Sequence, residues 1–307
     1  MHDLIIIGAG PAGLTAGLYA GRYRLNTVVF EKMNIGGQII LSPDIENYPG
    51  FPGGIPTAEL IEKFRKQMAS VGVPVEMQEI LEILPVGRHV PEIYRLSTHE
   101  KVYEAKCIII ASGAQPKKLG VKGEEKLIGR GVSYCGTCDG PLFKNKEIIV
   151  VGGGDRALEE ALFLSGYAAK VTLVHRRQEL RASEILVEKA NKNPKINFLL
   201  DTVIEEINGQ HKVESVKLRN LKTSRVDDFP AQGIFIFVGI LPNTEFLKNL
   251  VPIDESGFIA TDSYMKTALA GIFACGDCRK KDLYQVISAC AEGAEAAFSA
   301  HKYLLET

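Results

Sequence analysis

The chain has 307 residues, 46% of them hydrophobic and 24% charged, enough at roughly 150 residues per domain for about two domains with sizeable cores. Its 36 Lys+Arg and 37 Asp+Glu leave a formal charge of −1, so no global basic field exists to hold a nucleic acid or an anionic membrane surface, and neither partner is expected. Met1-His2-Asp3 leads straight into a short apolar run, without a basic n-region or an apolar stretch of spanning length, so the expected location is the cytoplasm. Six Cys make no disulfide scaffold, and closely spaced Cys in a reducing compartment point to metal binding or redox chemistry.

In chain order, Leu4–Ile7 reads as a strand, Gly8-Ala9-Gly10-Pro11-Ala12-Gly13 as a glycine turn, and the stretch to about Tyr23 as a helix. The next strand-like run, Thr27–Phe30, ends in Glu31. This is the dinucleotide-binding pattern: glycines let a pyrophosphate approach the helix N-terminus, and an acid receives a ribose hydroxyl. Residues 57–71 carry Leu60, Ile61, Phe64 and Met68 at helical spacing, which predicts core packing. Lys106–Ala111 reads as a buried strand ending at Ser112-Gly113, and Gln115–Gly131 as a connector.

The first pattern then returns, shifted by 144 residues. Ile149-Val150-Val151 stands for Ile5-Ile6-Ile7, Gly152-Gly153-Gly154 for Gly8-Ala9-Gly10, and Ala157 for Gly13. Gly8 to Glu31 and Gly152 to His175 both span 23 positions. In the second copy the acid is replaced by His175-Arg176-Arg177, with Arg181 a turn further on. Guanidinium groups bind a 2′-phosphate that an acid would repel, so the first unit suits FAD or NAD and the second NADPH. A Pro/Gly break follows at Gly239–Asn243, then a strand-like run Gly271–Cys275 turning into Gly276-Asp277, then a helix from about Gln285 to Leu305. The second nucleotide unit is thus inserted in the middle of the chain.

Cys135-Gly136-Thr137-Cys138, followed by Asp139, lies just before the second unit. Such a pair can form a small disulfide ring in which one thiolate attacks a partner disulfide and the other resolves the mixed disulfide, with Asp139 supplying or removing a proton. The bland alternative is half of a zinc site, which Cys275 and Cys278 keep open. Cys107 and Cys290, among apolar neighbours, are expected to be core thiols.

These motifs together resemble the low-molecular-weight (class II) thioredoxin reductases among the pyridine nucleotide–disulfide oxidoreductases, over essentially the whole chain. The carrying residues are Gly8–Gly13, Gly36-Gly37-Gln38, Glu46–Gly50, Cys135–Asp139, Gly152–Ala157 with Glu159-Glu160-Ala161, His175–Arg181, and Gly276-Asp277 with Gln285. The resemblance implies an α/β fold of two Rossmann-like three-layer domains, the second inserted into the first: residues 1–114 plus 245–307 for FAD, and residues 115–244 for NADPH and the redox-active pair. It implies that electrons pass from NADPH through FAD and the Cys135–Cys138 disulfide to thioredoxin or a thioredoxin-like protein, with Cys138 facing the flavin, Cys135 attacking the substrate and Asp139 acting as acid. FAD contacts are expected from Gly8, Gly10, Pro11, Ala12, Gly13, Glu31, Lys32, Gly37, Gln38, Asn47, Ser112, Gly113, Gly276, Asp277, Gln285 and Val286. NADPH contacts are expected from Gly153, Gly154, Asp155, Arg156, His175, Arg176, Arg177, Arg181 and Gly239. A homodimer and alternating domain orientations are also implied.

Two features depart from the family pattern: Arg156, where relatives usually have Ser or Thr, and the pair Cys275/Cys278, where they usually have small apolar residues. The first leaves the choice of NADPH or NADH open, and the second leaves open a regulatory disulfide beside FAD. Competing readings keep the fold and change the donor or acceptor to NADH, ferredoxin or oxygen. His175–Arg181 disfavours a ferredoxin donor, and Cys135/Cys138 disfavour a ferredoxin–NADP reductase.

Overall fold

The computed structural model describes residues 1–41, 44–45, 47–87, 93–247 and 250–307. Of the motif residues above, Glu46 lies outside the described residues.

His2–Ile7 sits between Thr27–Phe30 and Val102–Ile110, parallel to both. Val75–Glu76 extends the sheet on one side, and Ile272–Ala274 returns from the far end of the chain to pair with Val102–Ile110. Parallel strands covered on both faces read as unbroken apolar runs, and Leu4–Ile7 and Ile108–Ile110 are all buried. Their alternating side chains serve two cores. Leu4 and Ile6 join a core with Leu14, Met68 and Ala296, whereas Ile5 and Ile7 join one with Leu96, Leu247 and Ile259. Burying each such isoleucine stabilises the fold by roughly 1.5–3 kcal/mol. An antiparallel hairpin, Glu82–Val86 with Ile93–Ser97, completes this sheet.

The helices are α1 (Pro11–Arg22), α2 (Thr57–Ala69), α3 (Gly136–Asp139), α4 (Asp155–Ser165), α5 (Glu184–Lys192) and α6 (Val286–Glu306). α1 lies so close to α6 that a methyl group on Gly293 would collide with the Ala12 carbonyl.

A second sheet, formed wholly within residues 132–236, has five parallel strands in the order Val132–Ser133, Gly233–Ile236, Glu147–Val151, Lys170–Val174, Ile196–Leu199. Ile148 and Val150 face the α4 and α5 side chains Leu158, Leu164 and Ala190. Ile149 and Val151 face a three-stranded antiparallel layer, Thr202–Asn208, Ser215–Asn220 and Val226–Pro230, through Ile204, Ile207, Val216 and Leu218. That layer is absent from the sequence reading. The two crossings between the sheets run side by side, Ala114–Pro116 antiparallel to Ile240–Pro242, flanked by Lys117 N–H to Gly239 O and Asn243 N–H to Gly113 O at 2.9 Å each. No helix among the described residues is long and apolar enough to cross a membrane.

Candidate active site

The first nucleotide cradle forms where His2–Ile7 turns into α1. Gly8 has φ +109°, and a methyl group on it would overlap the Ala111 carbonyl; one on Gly13 would overlap the carbonyl of Gly8. At Gly10 the nearest atoms to an added methyl are Gly36 O and Gly37 Cα, both at 3.9 Å, so the turn stays open toward the helix N-terminus, where backbone N–H groups attract phosphate. Pro11 takes the first helical position, where no amide proton is needed, and Ala12 is buried behind it. Glu31 is locked at the rim: its Oε2 accepts from the Ala9 N–H and its Oε1 from the Met33 N–H, both at 2.9 Å.

Other expected contributors converge here from distant segments. Gly37 opens the turn that carries Gln38, and Ser112-Gly113 follows the end of Val102–Ile110, with the Ser112 hydroxyl buried beside the Cys278 thiol. Gly276, at φ +75°, brings the turn carrying Asp277 against Ala12. Gln285 caps α6 reciprocally with Ser288, places Val286 at the helix start, and accepts a 3.0 Å hydrogen bond from Asn47 Nδ2. Lys32 instead pairs with Glu79 at the surface, 3.4 Å away.

The second cradle, at the start of α4, repeats the construction. A methyl on Gly153 would fall on the His175 ring, whereas Gly154 has nothing within 4 Å, again leaving an open helix N-terminus. Asp155 Oδ1 accepts from the Ser183 N–H, and the Arg181 N–H donates to Gly153 O, both at 2.6 Å. His175 is buried and its Nε2 has no hydrogen-bond partner among the described residues. Burial lowers its pKa, a backbone hydrogen bond with Glu179 opposes this, and the charges of Arg181, Arg176 and Arg177 lower it further. All three arginines are exposed. Arg156 stacks its guanidinium over the Phe237 ring, 5.7 Å from the centroid, and Gly239, at φ +123°, accepts the Lys117 N–H at the chain crossing.

Between the cradles, Cys135 and Cys138 form a disulfide. Cys135 caps α3, its sulfur accepting the Cys138 N–H at 3.3 Å. Asp139 is buried, and its Oδ2 accepts a 2.6 Å hydrogen bond from Ser133 Oγ, which in turn accepts the Cys135 N–H at 3.1 Å. Tyr134 is fixed by donating to Glu124 Oε1 at 2.8 Å. On the other side, Glu160 of α4 packs its carboxyl under Gly136, where an added methyl would collide with Oε2. Burial pushes the Glu160 pKa up to about 7, partly opposed by Arg156.

The disulfide opens onto a cavity of about 110 Å³ that both units line, with Gln38, Asp277 and Gln285 from one and Cys135, Cys138 and Arg156 from the other. Cys138 also packs against the cluster of Ile45, Ile55 and Leu60. Gln285 Nε2 donates to Thr137 Oγ1 at 3.1 Å. Of the expected flavin residues, Gln38, Asp277, Gln285 and Val286 are thus brought together with the redox pair, whereas Lys32 points away to Glu79 and the 2′-phosphate candidates stand apart at the second cradle. The open helix N-termini at Gly10 and Gly154, with Glu31 at one rim and arginines at the other, fit a flavin dinucleotide and a nicotinamide dinucleotide respectively.

Several members were missed in the sequence. Ser133, Thr137 and Tyr284 carry no motif of their own, although Thr137 lies inside the C-x-x-C and Ser133 two positions before it. Cys107, Cys275, Cys278 and Cys290 are buried, unbonded thiols. Cys278 Sγ donates to the carbonyls of Cys275 and Ile110 at 3.3 and 3.4 Å, and burial raises both the Cys275 and Cys278 pKa values.

Two dinucleotide cradles, with a disulfide between them in a cavity that both units line, define a flavin- and pyridine nucleotide-dependent disulfide oxidoreductase. The chain belongs to the pyridine nucleotide-disulphide oxidoreductase family, whose model matches residues 2–293. It is 43% identical over 310 residues to a thioredoxin reductase of Peptoclostridium acidaminophilum, covering 99% of this chain and 97% of that one. The fold superimposes on the crystal structure of thioredoxin reductase from Streptococcus pyogenes with a TM-score of 0.92 at 44% identity, covering 100% and 99% of the two chains. Against the Lactococcus lactis thioredoxin reductase in its "FR conformation", 43% identical with both chains fully covered, the TM-score is 0.71.

Proposed function

We propose that this enzyme is an NADPH-dependent thioredoxin-disulfide reductase that uses FAD and the Cys135–Cys138 disulfide to reduce thioredoxin or a thioredoxin-like protein. The observation that carries this reading is the placement of Cys138 against Ile45 and Leu60, in the cavity bounded by Gln38, Asp277 and Gln285. Bound flavin supplies two-electron exchange between a nicotinamide and a disulfide. Residues 1–114 with 245–307 form the FAD domain in this reading, and residues 115–244 the NADPH domain.

The first-cradle residues, from Gly8–Gly13 and Glu31 to Asp277 and Gln285, hold FAD; Gly153–Arg156, His175–Arg177, Arg181 and Gly239 hold NADPH. The arginines favour the 2′-phosphorylated nucleotide because each guanidinium can form charge-assisted, bidentate bonds with phosphate oxygens. Once the disulfide is reduced, the Cys135 thiolate attacks the substrate disulfide, forming one bond to its sulfur and releasing the other substrate sulfur as a thiolate. The Cys138 thiolate then attacks Cys135 Sγ, releasing the second substrate sulfur and closing the 135–138 disulfide again. Asp139, oriented by Ser133, exchanges the protons of this cycle.

Because Thr137 and Cys138 touch the first unit in this arrangement, the second unit must move for substrate to reach Cys135, and the paired crossings at 114–116 and 240–242 are where that motion is absorbed. A cytoplasmic location suits a dithiol donor, since thiols are kept reduced there. A homodimer is supported by Tyr19, Ile287 and Phe298, large apolar side chains left exposed on α1 and α6. The test is anaerobic titration of the yellow protein with NADPH and, separately, NADH, followed by thioredoxin. Flavin bleaching by NADPH and reoxidation by thioredoxin are expected; bleaching without reoxidation refutes the acceptor, and preference for NADH refutes the donor.

A further inference from the structure

Behind Asp277, in the loop that closes the cavity, lies a partly buried network of four charges. The Lys281 side chain is only 7% exposed, and its ammonium is 2.9 Å from Asp277 Oδ1 and 3.4 Å from Glu292 Oε2. Glu292, projecting from α6, accepts the Gly276 N–H at 2.7 Å and pairs through Oε1 with Arg279 Nη1 at 2.9 Å. Arg279 Nε donates to Thr261 Oγ1 at 2.8 Å, and the Lys281 ammonium lies 5.4 Å from the centre of the Tyr284 ring. Asp277 and Tyr284 line the cavity; Lys281, Arg279 and Glu292 do not.

We propose that Lys281, anchored by Glu292, is a positioning residue that holds the Asp277 carboxylate in place at the flavin-facing wall. This rests on the reading of the first cradle as the flavin site. Two carboxylates, Asp277 and Glu292, meet the same ammonium. Opposite charges at this range attract, so the one ammonium ties Asp277 to Glu292 of α6. Glu292 then remains free to anchor the Gly276 amide, so the left-handed turn at Gly276 and the side chain of Asp277 are fixed together. The four charges cancel, two against two, so the network adds a rigid support without adding net charge to the loop.

The titratable and charged groups facing Lys281 are Asp277, Arg279 and Tyr284 from its own loop, Glu292 from α6, and the buried thiols Cys275 and Cys278. The thiols stay protonated at ordinary pH, because burial raises their pKa values. With Lys281 replaced by methionine, which keeps length without charge, Asp277 loses its tether to α6 while Glu292 keeps Arg279, so FAD binding should weaken.

The test is FAD release from holoenzyme on serial dilution, followed by flavin fluorescence, for wild type, Lys281→Met and Lys281→Arg. Lys281→Met should bind FAD about tenfold more weakly than wild type, and Lys281→Arg should restore most of the affinity. Equal affinity of Lys281→Met and wild type overturns the proposal, as does an equal loss in Lys281→Arg, which would mark a packing role only. Should Lys281→Met not fold, Lys281→Gln carries the same comparison with Lys281→Arg. Wild-type protein that holds no FAD at all would overturn the flavin reading itself, an outcome separate from any behaviour of the variants.

Discussion

Gln285 and Thr137, 148 positions apart, are joined by a 3.1 Å hydrogen bond from Gln285 Nε2 to Thr137 Oγ1. Gln285 caps the long helix α6 and Thr137 stands between the two redox cysteines, so one bond clamps the disulfide onto the other nucleotide unit. Removing it with Thr137→Val should cost about 1 kcal/mol of that docking, roughly a fivefold shift toward undocked molecules. Reduction of the Cys135–Cys138 disulfide by excess dithiothreitol should become up to about fivefold faster, measured by trapping the freed thiols. An unchanged rate would show that the bond does not restrain the disulfide.

A steric prediction follows at the first cradle. Gly13 carries α1 directly over the Gly8 carbonyl, with which an added methyl would overlap, and backbone cannot yield there as a flexible side chain could. Gly13→Ala should displace the helix N-terminus, reducing FAD content by at least tenfold and costing about 2–4 kcal/mol of stability. Flavin absorbance per protein and thermal unfolding check both parts. Gly10→Ala, whose added methyl finds only atoms at 3.9 Å, should cost far less stability while still crowding the phosphate.

How much of this was legible in the sequence depended on whether a feature is local. Gly8–Gly13, Glu31 and the C-x-x-C are local patterns, each with a fixed spacing that its chemistry demands, and they were readable from residues alone. The 144-residue repeat made the insertion legible too, and Ile272–Ala274 pairing with Val102–Ile110 bears it out. The antiparallel layer beneath the second sheet was not readable, because a register shift between Ile204 and Glu206 breaks the alternation of its first strand. The contacts of Thr137 with Gln285 and of Lys281 with Glu292 join loop residues to helix residues through tertiary structure, and no periodicity announces them. Arg156 was visible as a departure, but its stacking on Phe237 needed the fold.

Glu160 carries a pH prediction. Its pKa is pushed up to about 7 by burial, against about 4.3 for an unperturbed glutamate. For an acid with a raised folded-state pKa, the neutral form is favoured by folding. Its contribution is therefore complete below about pH 4.3 and is lost as pH rises through about 7. Glu160→Gln, neutral at every pH, should be about 2–3 kcal/mol more stable than wild type at pH 8 and show no such advantage at pH 4. Melting temperatures across that range decide the point; a constant difference between the two proteins would mean that Glu160 does not titrate under Gly136.

Cys135 and Cys138 are chemically alike but differently placed, since Cys138 packs against Ile45 and Leu60 while Cys135 caps α3. Cys135→Ser should leave flavin reduction by NADPH intact, because no cysteine is needed for that step, and should abolish thioredoxin reduction. Stopped-flow bleaching of the flavin and steady-state thioredoxin turnover separate the two. Full turnover by this variant would remove Cys135 from the role of attacking thiol.

The donor nucleotide rests on the edge of the second cradle. Burial and the neighbouring arginines lower the His175 pKa, and Arg176, Arg177 and Arg181 carry the positive charge at this edge of the cradle. Each charge-assisted guanidinium–phosphate bond is worth about 1.5–3 kcal/mol. Arg176→Ala combined with Arg177→Ala should therefore raise the KM for NADPH by about 30-fold or more. NADH has no phosphate at that position, so its KM should change by less than about threefold, and kcat with either nucleotide should hold because neither arginine lines the disulfide cavity. Steady-state kinetics with both nucleotides make the comparison, and an equal loss for the two would show that these arginines do not read the phosphate.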